Sequence, residues 1–125
     1  PLSREQEMFT AFRMDMLAGK FEQMVSQYDE YKKLANKQFN QKLENQLNTF
    51  GYELNSHKRY EDAIQIFKLA ISYYPHSDNL HDSLGEIYLQ SGDTTNAVLN
   101  YQKSIELNPD NKHAMKVLSK ISLTN

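Results

Sequence analysis

The sequence predicts an all-α fold, a right-handed superhelix of about seven stacked helices. Three observations predict it. Apolar side chains recur roughly every three to four residues along most of the 125-residue chain, the period of a helix that buries one face. A 34-residue register relates the stretches 44–77 and 78–111 through Asn45 and Asn79, Gly51 and Gly85, Ala63 and Ala97, Ile71 and Ile105, and Pro75 and Pro109. Only four glycines and three prolines are present, few for the many turns of an all-β domain.

Residues 1–40 lie outside the register and read as a helical hairpin. Ser3 and Gln6 suit a capping box that opens the first helix. Phe9, Phe12 and Met16 then keep helical spacing, joined by Met8 and Leu17, and Gly19 marks the break. Phe21, Met24, Val25, Tyr28 and Leu34 supply the apolar face of the next helix. The stretch GKFEQMVSQY echoes KRYEDAIQIF, with Met24 standing where Ala63 stands later. The hairpin is therefore a degenerate unit, with large residues where the later ones keep small ones. The polar run Asn36–Gln41 separates it from residues 41–125.

Each repeated unit reads as two helices. Leu43, Leu47, Phe50 and Leu54 line the first, and NSHKR forms a polar turn. Tyr60, Ala63, Ile64, Phe67, Ala70 and Ile71 line the second. In the next unit QSGDT makes the turn, with Gly92 suited to a left-handed position and Asp93 to an N-cap. Gly51 and Gly85 lie mid-helix, where glycine costs about 1 kcal/mol against alanine. Tolerating that cost twice at one register predicts close approach of a neighbouring helix. Ala63 and Ala97 are expected to face the approach, with the aromatic residues one turn on filling the gap. Pro75 and Pro109 end the second helices, because a residue before proline is pushed out of the α region. Ala114, Met115, Val117, Leu118 and Ile121 form one more amphipathic helix, expected to cap the open end of the stack.

These positions resemble the tetratricopeptide repeat family, whose 34-residue period runs from a large apolar residue through Leu-Gly, Tyr, Ala, Phe and Ala to Pro. The first unit supplies Leu47, Phe50-Gly51, Leu54, Ala63, Phe67, Ala70 and Pro75. The second supplies Leu84-Gly85, Tyr88, Ala97, Tyr101, Ser104 and Pro109, and departs at His81, where a bulky apolar residue is usual. A finer resemblance covers roughly 44–118. Runs such as YYPHSD, DSLGE and LNPDN are similar to the C-terminal segment that follows the catalytic domain of some bacterial α/β-hydrolase-type esterases. That resemblance implies a structural, regulatory or dimerisation tail of a serine hydrolase of bacterial origin. Proline at position 1 carries the expectation that the sequence starts inside a longer chain or after a processed segment.

Little in the chain points to chemistry. There is no G-x-S-x-G elbow, and Ser83 falls on a helix rather than a strand-to-helix turn. The four histidines, His57, His76, His81 and His113, form no H-E-x-x-H pair, and cysteine is absent, so no metal site or cofactor is expected. A net charge of −2, from 14 basic and 16 acidic side chains, gives no electrostatic case for nucleic acid or an anionic membrane. The compartment stays open between cytoplasm and periplasm.

The sequence is read as a non-enzymatic protein- or peptide-binding or scaffolding module, its partner an unstructured segment or a domain of the same polypeptide. The family resemblance implies a ligand surface on the concave face lined by the first helix of each unit. On that face fall Asn45, Asn48, Tyr52 and Asn55 from the first unit, and Asn79, Asp82, Glu86 and Leu89 from the second. His113, Lys116 and Lys120 extend it. Asp82 and Glu86 argue against a clamp for acidic tails, since like charges repel. The asparagines would bond to an extended backbone, with Tyr52 as an apolar platform. The cluster of Met8, Phe9, Phe12, Met16 and Met24 reads first as buried packing. Its second reading is an apolar groove for a partner helix or a second copy.

Overall fold

Ser3 opens the first helix as its spacing to Gln6 predicts. Its hydroxyl accepts from the Gln6 amide at 3.2 Å while the Gln6 side chain accepts from the Ser3 amide at 2.8 Å. The computed structural model describes residues 3–34 and 36–124, the side chains of Leu34, Leu123 and Thr124 excepted, so the expected core position Leu34 lies outside the described side chains. Seven helices and no strand occur among the described residues. They are α1 (Arg4–Leu17), α2 (Phe21–Leu34), α3 (Lys37–Ser56), α4 (Tyr60–Tyr73), α5 (Asp78–Gln90), α6 (Thr94–Leu107) and α7 (Lys112–Thr124). Side-chain caps start four more of them. Asn36 accepts from the Phe39 amide, Ser77 from Leu80, Asp93 from Asn96 and Asn111 from Ala114, at 2.8–3.3 Å. The polar run 37–41 lies inside α3, which at 20 residues is the longest helix. Tyr74 (ψ 67°) and Asn108 (ψ 93°), each preceding a proline, stand outside the α region and end α4 and α6.

Three turns share one geometry. Gly19 (φ 78°), Lys58 (φ 59°) and Gly92 (φ 92°) each sit in the left-handed region one residue before the next N-cap position. After each, an amide reaches back to close the preceding helix: Lys20 to the Asp15 carbonyl, Arg59 to Leu54 and Asp93 to Tyr88, at 2.8–3.0 Å. The α1–α2 hairpin thus turns like the two repeated units. In the register these turns set, Phe12 falls at the place of Gly51, Met24 at that of Ala63, and Tyr28 at that of Phe67.

That substitution separates the helices. Gly51 lies against the buried Phe67 ring, closely enough that a Cβ would overlap it, and Gly85 lies against Tyr101, where a Cβ would stand 3.1 Å from the ring. The backbones of α3 and α4, and of α5 and α6, run close over much of their length, whereas α1 and α2 approach over far fewer residues. Between them Phe12 and Tyr28 pack ring on ring, centroids 5.6 Å apart, above the fully buried Met16 and Met24. The glycines therefore accommodate the aromatic rings directly. Ala63 and Ala97, also fully buried, line the same interface one turn away.

The units also stack differently. α4 runs along α5 and α6 along α7, but α2 makes no comparable approach to α3. Leu80 and Ile87, fully buried on α5, correspond to Gln46 and Glu53 on α3, which are too polar to take an apolar neighbour. The first hairpin joins through the shared apolar core, which includes Met8, Phe12, Met16, Met24 and Tyr28, and through polar and aromatic links. Arg13 grips Glu53 through two nitrogens at 2.5–3.0 Å, Lys42 pairs with Glu5 at 3.0 Å, and Arg59 donates to the Leu17 carbonyl at 2.9 Å. Tyr28 packs on Tyr73 at 4.8 Å, its hydroxyl bonded to that of Tyr74, and the Tyr73 hydroxyl donates to Asp29.

Candidate functional site

The first helices α1, α3, α5 and α7 present one shared face, and polar rungs cross it from helix to helix. Between α1 and α3 the rung is Arg13–Glu53, whose guanidinium holds the carboxyl below the usual range. Between α3 and α5 the Tyr52 hydroxyl donates to Glu86 Oε2 at 2.7 Å and lies 3.2 Å from the Ser83 hydroxyl, which donates to Asn48 Oδ1 at 2.8 Å. Asn55 Nδ2 donates to Gln90 Oε1 at 2.8 Å, and Gln90 reaches back to Glu86. Between α5 and α7, Asp82 accepts from Asn111 Nδ2 and meets His113 Nδ1, both at 2.9 Å.

The expected ligand residues therefore divide. Asn48, Tyr52, Asn55, Asp82 and Glu86 are partly buried and hold neighbouring helices together. Tyr52 is no open platform: its ring meets Phe67 edge-on, centroids 5.6 Å apart, and burial with the Glu86 bond pushes its phenol far above the ordinary value. Asp82 and Glu86 are engaged by donors, which softens the repulsion they would offer an acidic segment. Asn45 and Asn79 are exposed, as are His113, Lys116 and Lys120, while Leu89 is half-buried. Asn45 keeps a local bond, accepting from Gln41 at 3.1 Å. Gln90, Arg13 and Glu53 complete the rungs and were not singled out from the sequence, and Ser83, weighed there only as a nucleophile, joins them. Only their helical register could have placed them, since serine, glutamine and surface ion pairs occur everywhere on helices.

A second polar web closes the α6–α7 corner. Ser104, buried where the first unit has Ala70, donates to the Asp78 carbonyl at 2.8 Å and accepts from Asn111 at 2.7 Å, and Asn108 donates to the Asp78 carboxylate. His81, the departure from the repeat pattern, is half-buried with Nδ1 3.4 Å from Asn100 Oδ1. Burial lowers its imidazole against that bond. No group of three or more His, Cys, Asp or Glu able to hold a metal occurs among the described residues, and no helix is long and apolar enough to cross a membrane.

Paired helices at a 34-residue period, with a glycine under the ring in each repeated unit and rungs between first helices, make an all-α helical-repeat superhelix. A model described as tetratricopeptide repeat matches residues 79–111, the second unit. Among solved structures the chain is similar in fold to PcrH, seen in a crystal structure in complex with the chaperone binding region of PopB. The identity is 15%, the TM-score 0.54, and the match covers 99% of this chain and 98% of that one. No curated protein matches the chain, so the likeness to esterase tails rests on the sequence runs alone.

Proposed function

We propose that the chain is a non-catalytic module that binds an extended segment of a protein partner on the face of its first helices. Residues 1–40 would serve as the N-terminal cap, and 41–125 as two repeats with a closing helix. The observation that carries this reading is the fold itself. A stack of paired helices exposes one long face made of α1, α3, α5 and α7, and a similar stack, PcrH, is seen holding a region of another protein. The rungs support it further. With Tyr52, Asn48 and Glu86 tying α3 to α5, the face is preorganised and loses little conformational freedom on binding. Within the seven-residue set first read from the sequence, the exposed Asn45 and Asn79 are the groups left to meet a peptide backbone.

Selection from a random peptide library, followed by amide-shift mapping on the 125-residue chain, tests the reading. Bound peptides should shift amides along α3 and α5. The double variant Asn45→Arg/Asn79→Arg should weaken binding about tenfold, roughly 1.4 kcal/mol, without altering thermal stability. Shifts confined to α4 and α6, or unchanged affinity in the double variant, would remove the face from consideration.

A further inference from the structure

The last helix, α7, repeats the first helix of a unit, and no second helix pairs with it among the described residues. In the 34-residue register Ala114 and Ile121 fall at the places of Leu80 and Ile87, and like them are buried where the helix runs along its predecessor. Met115 falls at the place of Leu47 and His81, Leu118 at that of Phe50 and Leu84, and Ser119 at that of Gly51 and Gly85. In the two repeated units the second helix covers those positions. Leu47, Phe50 and Leu84 are buried, and His81 is half-buried beside Asn100 of α6. On α7 no described residue does so: Met115 is 41% exposed and Leu118 is only half-buried. Lys112, Lys116 and Lys120, one helical turn apart, run beside this stripe and are exposed. None of the three has an ion pair among the described residues, and α7 carries no acidic side chain. The acids of the neighbouring α5 are engaged elsewhere, Asp82 by Asn111 and His113, Glu86 by the Tyr52 hydroxyl.

An apolar stripe with a row of unpaired like charges along one flank selects its partner on two grounds. Covering Met115 and Leu118 favours an apolar side-chain face. The lysine flank attracts carboxylates and repels a basic partner. Met115, Leu118 and Ser122 recur at i, i+3 and i+7, the spacing at which one helix lays its apolar face along another. We propose that α7 docks an amphipathic helix of a protein partner that is acidic along one flank, in the place α4 takes beside α3 and α6 takes beside α5. The partner's apolar side chains cover Met115 and Leu118, and its carboxylates meet Lys112, Lys116 and Lys120. Ser119 stands where the glycines of the repeated units admit the rings of Phe67 and Tyr101, so the partner sets a smaller side chain there. The inference does not rest on the segment-binding reading, whose exposed groups Asn45 and Asn79 lie on α3 and α5.

The probe is a 14-residue peptide, the length of α6, with acetyl and amide ends. It carries leucine and alanine on one helical face and glutamate and glutamine on the other, and a control peptide has lysine in place of every glutamate. Titrated into the 125-residue chain at low salt, the acidic peptide should give saturable amide shifts at Met115, Leu118 and Ser119 that weaken as salt is raised. The basic peptide should give none. Met115→Glu should weaken the acidic peptide about tenfold. Lys112→Glu/Lys116→Glu, at exposed positions that leave the buried residues of α7 untouched, should do the same and admit the basic peptide. Shifts confined to α3 and α5, equal response to the two peptides, or unchanged binding in the charge-reversed variant would overturn the proposal. Sedimentation of the chain alone adds one more outcome. A monomer supports a partner helix, whereas self-association lost in Met115→Glu would make a second copy the occupant and overturn it. Library peptides mapping to Asn45 and Asn79 judge the segment-binding face separately.

Discussion

Gly51 and Gly85 have no side chain because aromatic rings occupy that space. Replacing Gly51 by Ala gains about 1 kcal/mol of helix propensity but drives a methyl into the fully buried Phe67 ring. Overpacking of that kind costs on the order of 1–3 kcal/mol, so Gly51→Ala should destabilise the chain in urea unfolding. Gly85→Ala should cost less, because its methyl would stand 3.1 Å from Tyr101. Lys58 is the opposite case. It holds φ 59°, where its repeat partner is Gly92, so Lys58→Gly should stabilise by about 1 kcal/mol. The glycine pairs were legible in the sequence because they recur at one register. The strain at Lys58 was not, since lysine carries no conformational signature. The glycines' direct partners differed in detail from expectation: the rings of Phe67 and Tyr101 meet them, with the alanines beside.

Helices α5 and α6 carry the clearest pH dependence. His81 is half-buried, and burial holds its imidazole below the ordinary 6.5. The unfolded chain therefore takes up that proton first, and the fold loses stability as pH drops below about 6.5 through the depressed value. Glu53 and Asp93 act lower. Arg13 and Asn96 hold their carboxyls down, so stabilisation intact above the ordinary 4.5 and 3.8 is lost as pH falls through the lower folded values. His81→Leu should abolish the first step and keep the second when urea midpoints are followed from about pH 7.5 to 3. Asp93 also caps α6, so Asp93→Ala should lower the urea midpoint at neutral pH. The caps at Ser3 and Asp93 were readable because residue type and spacing suffice. Asn36 lay in a polar run that carries no apolar period, and only its bond to the Phe39 amide marks where α3 begins.

Across the molecule, stability should fall towards the N-terminal hairpin. α3 to α7 run close along their backbones, whereas α1 and α2, splayed by Phe12 and Met24, share the apolar core chiefly through side chains and add the links from Arg13, Lys42, Arg59 and a tyrosine cluster. Exposed ion pairs contribute little. Amide exchange should therefore open α1 and α2 first, with α5 and α6 protected longest. The all-α stack was legible because apolar periodicity marks each helix and the glycine register adds the pairing of α3 with α4 and of α5 with α6, while the polar start of α3 carried neither signal. The site was legible only as a face. Sequence register placed Asn45 to Glu86 on one side, but which of them bond across to the next helix depends on side-chain reach, as Tyr52 and Glu86 show. The open flank of α7 was legible only as the apolar period of a closing helix, and the exposure of Met115 and Leu118 shows once the neighbouring helices are in place. The most direct measurement is a double-mutant cycle in urea unfolding, Gly51→Ala made in the parent chain and again in a Phe67→Leu background. If ring-on-glycine contact holds the paired helices together, the alanine destabilises the parent but is neutral or stabilising once the ring is gone. An equal cost in both backgrounds would contradict that account.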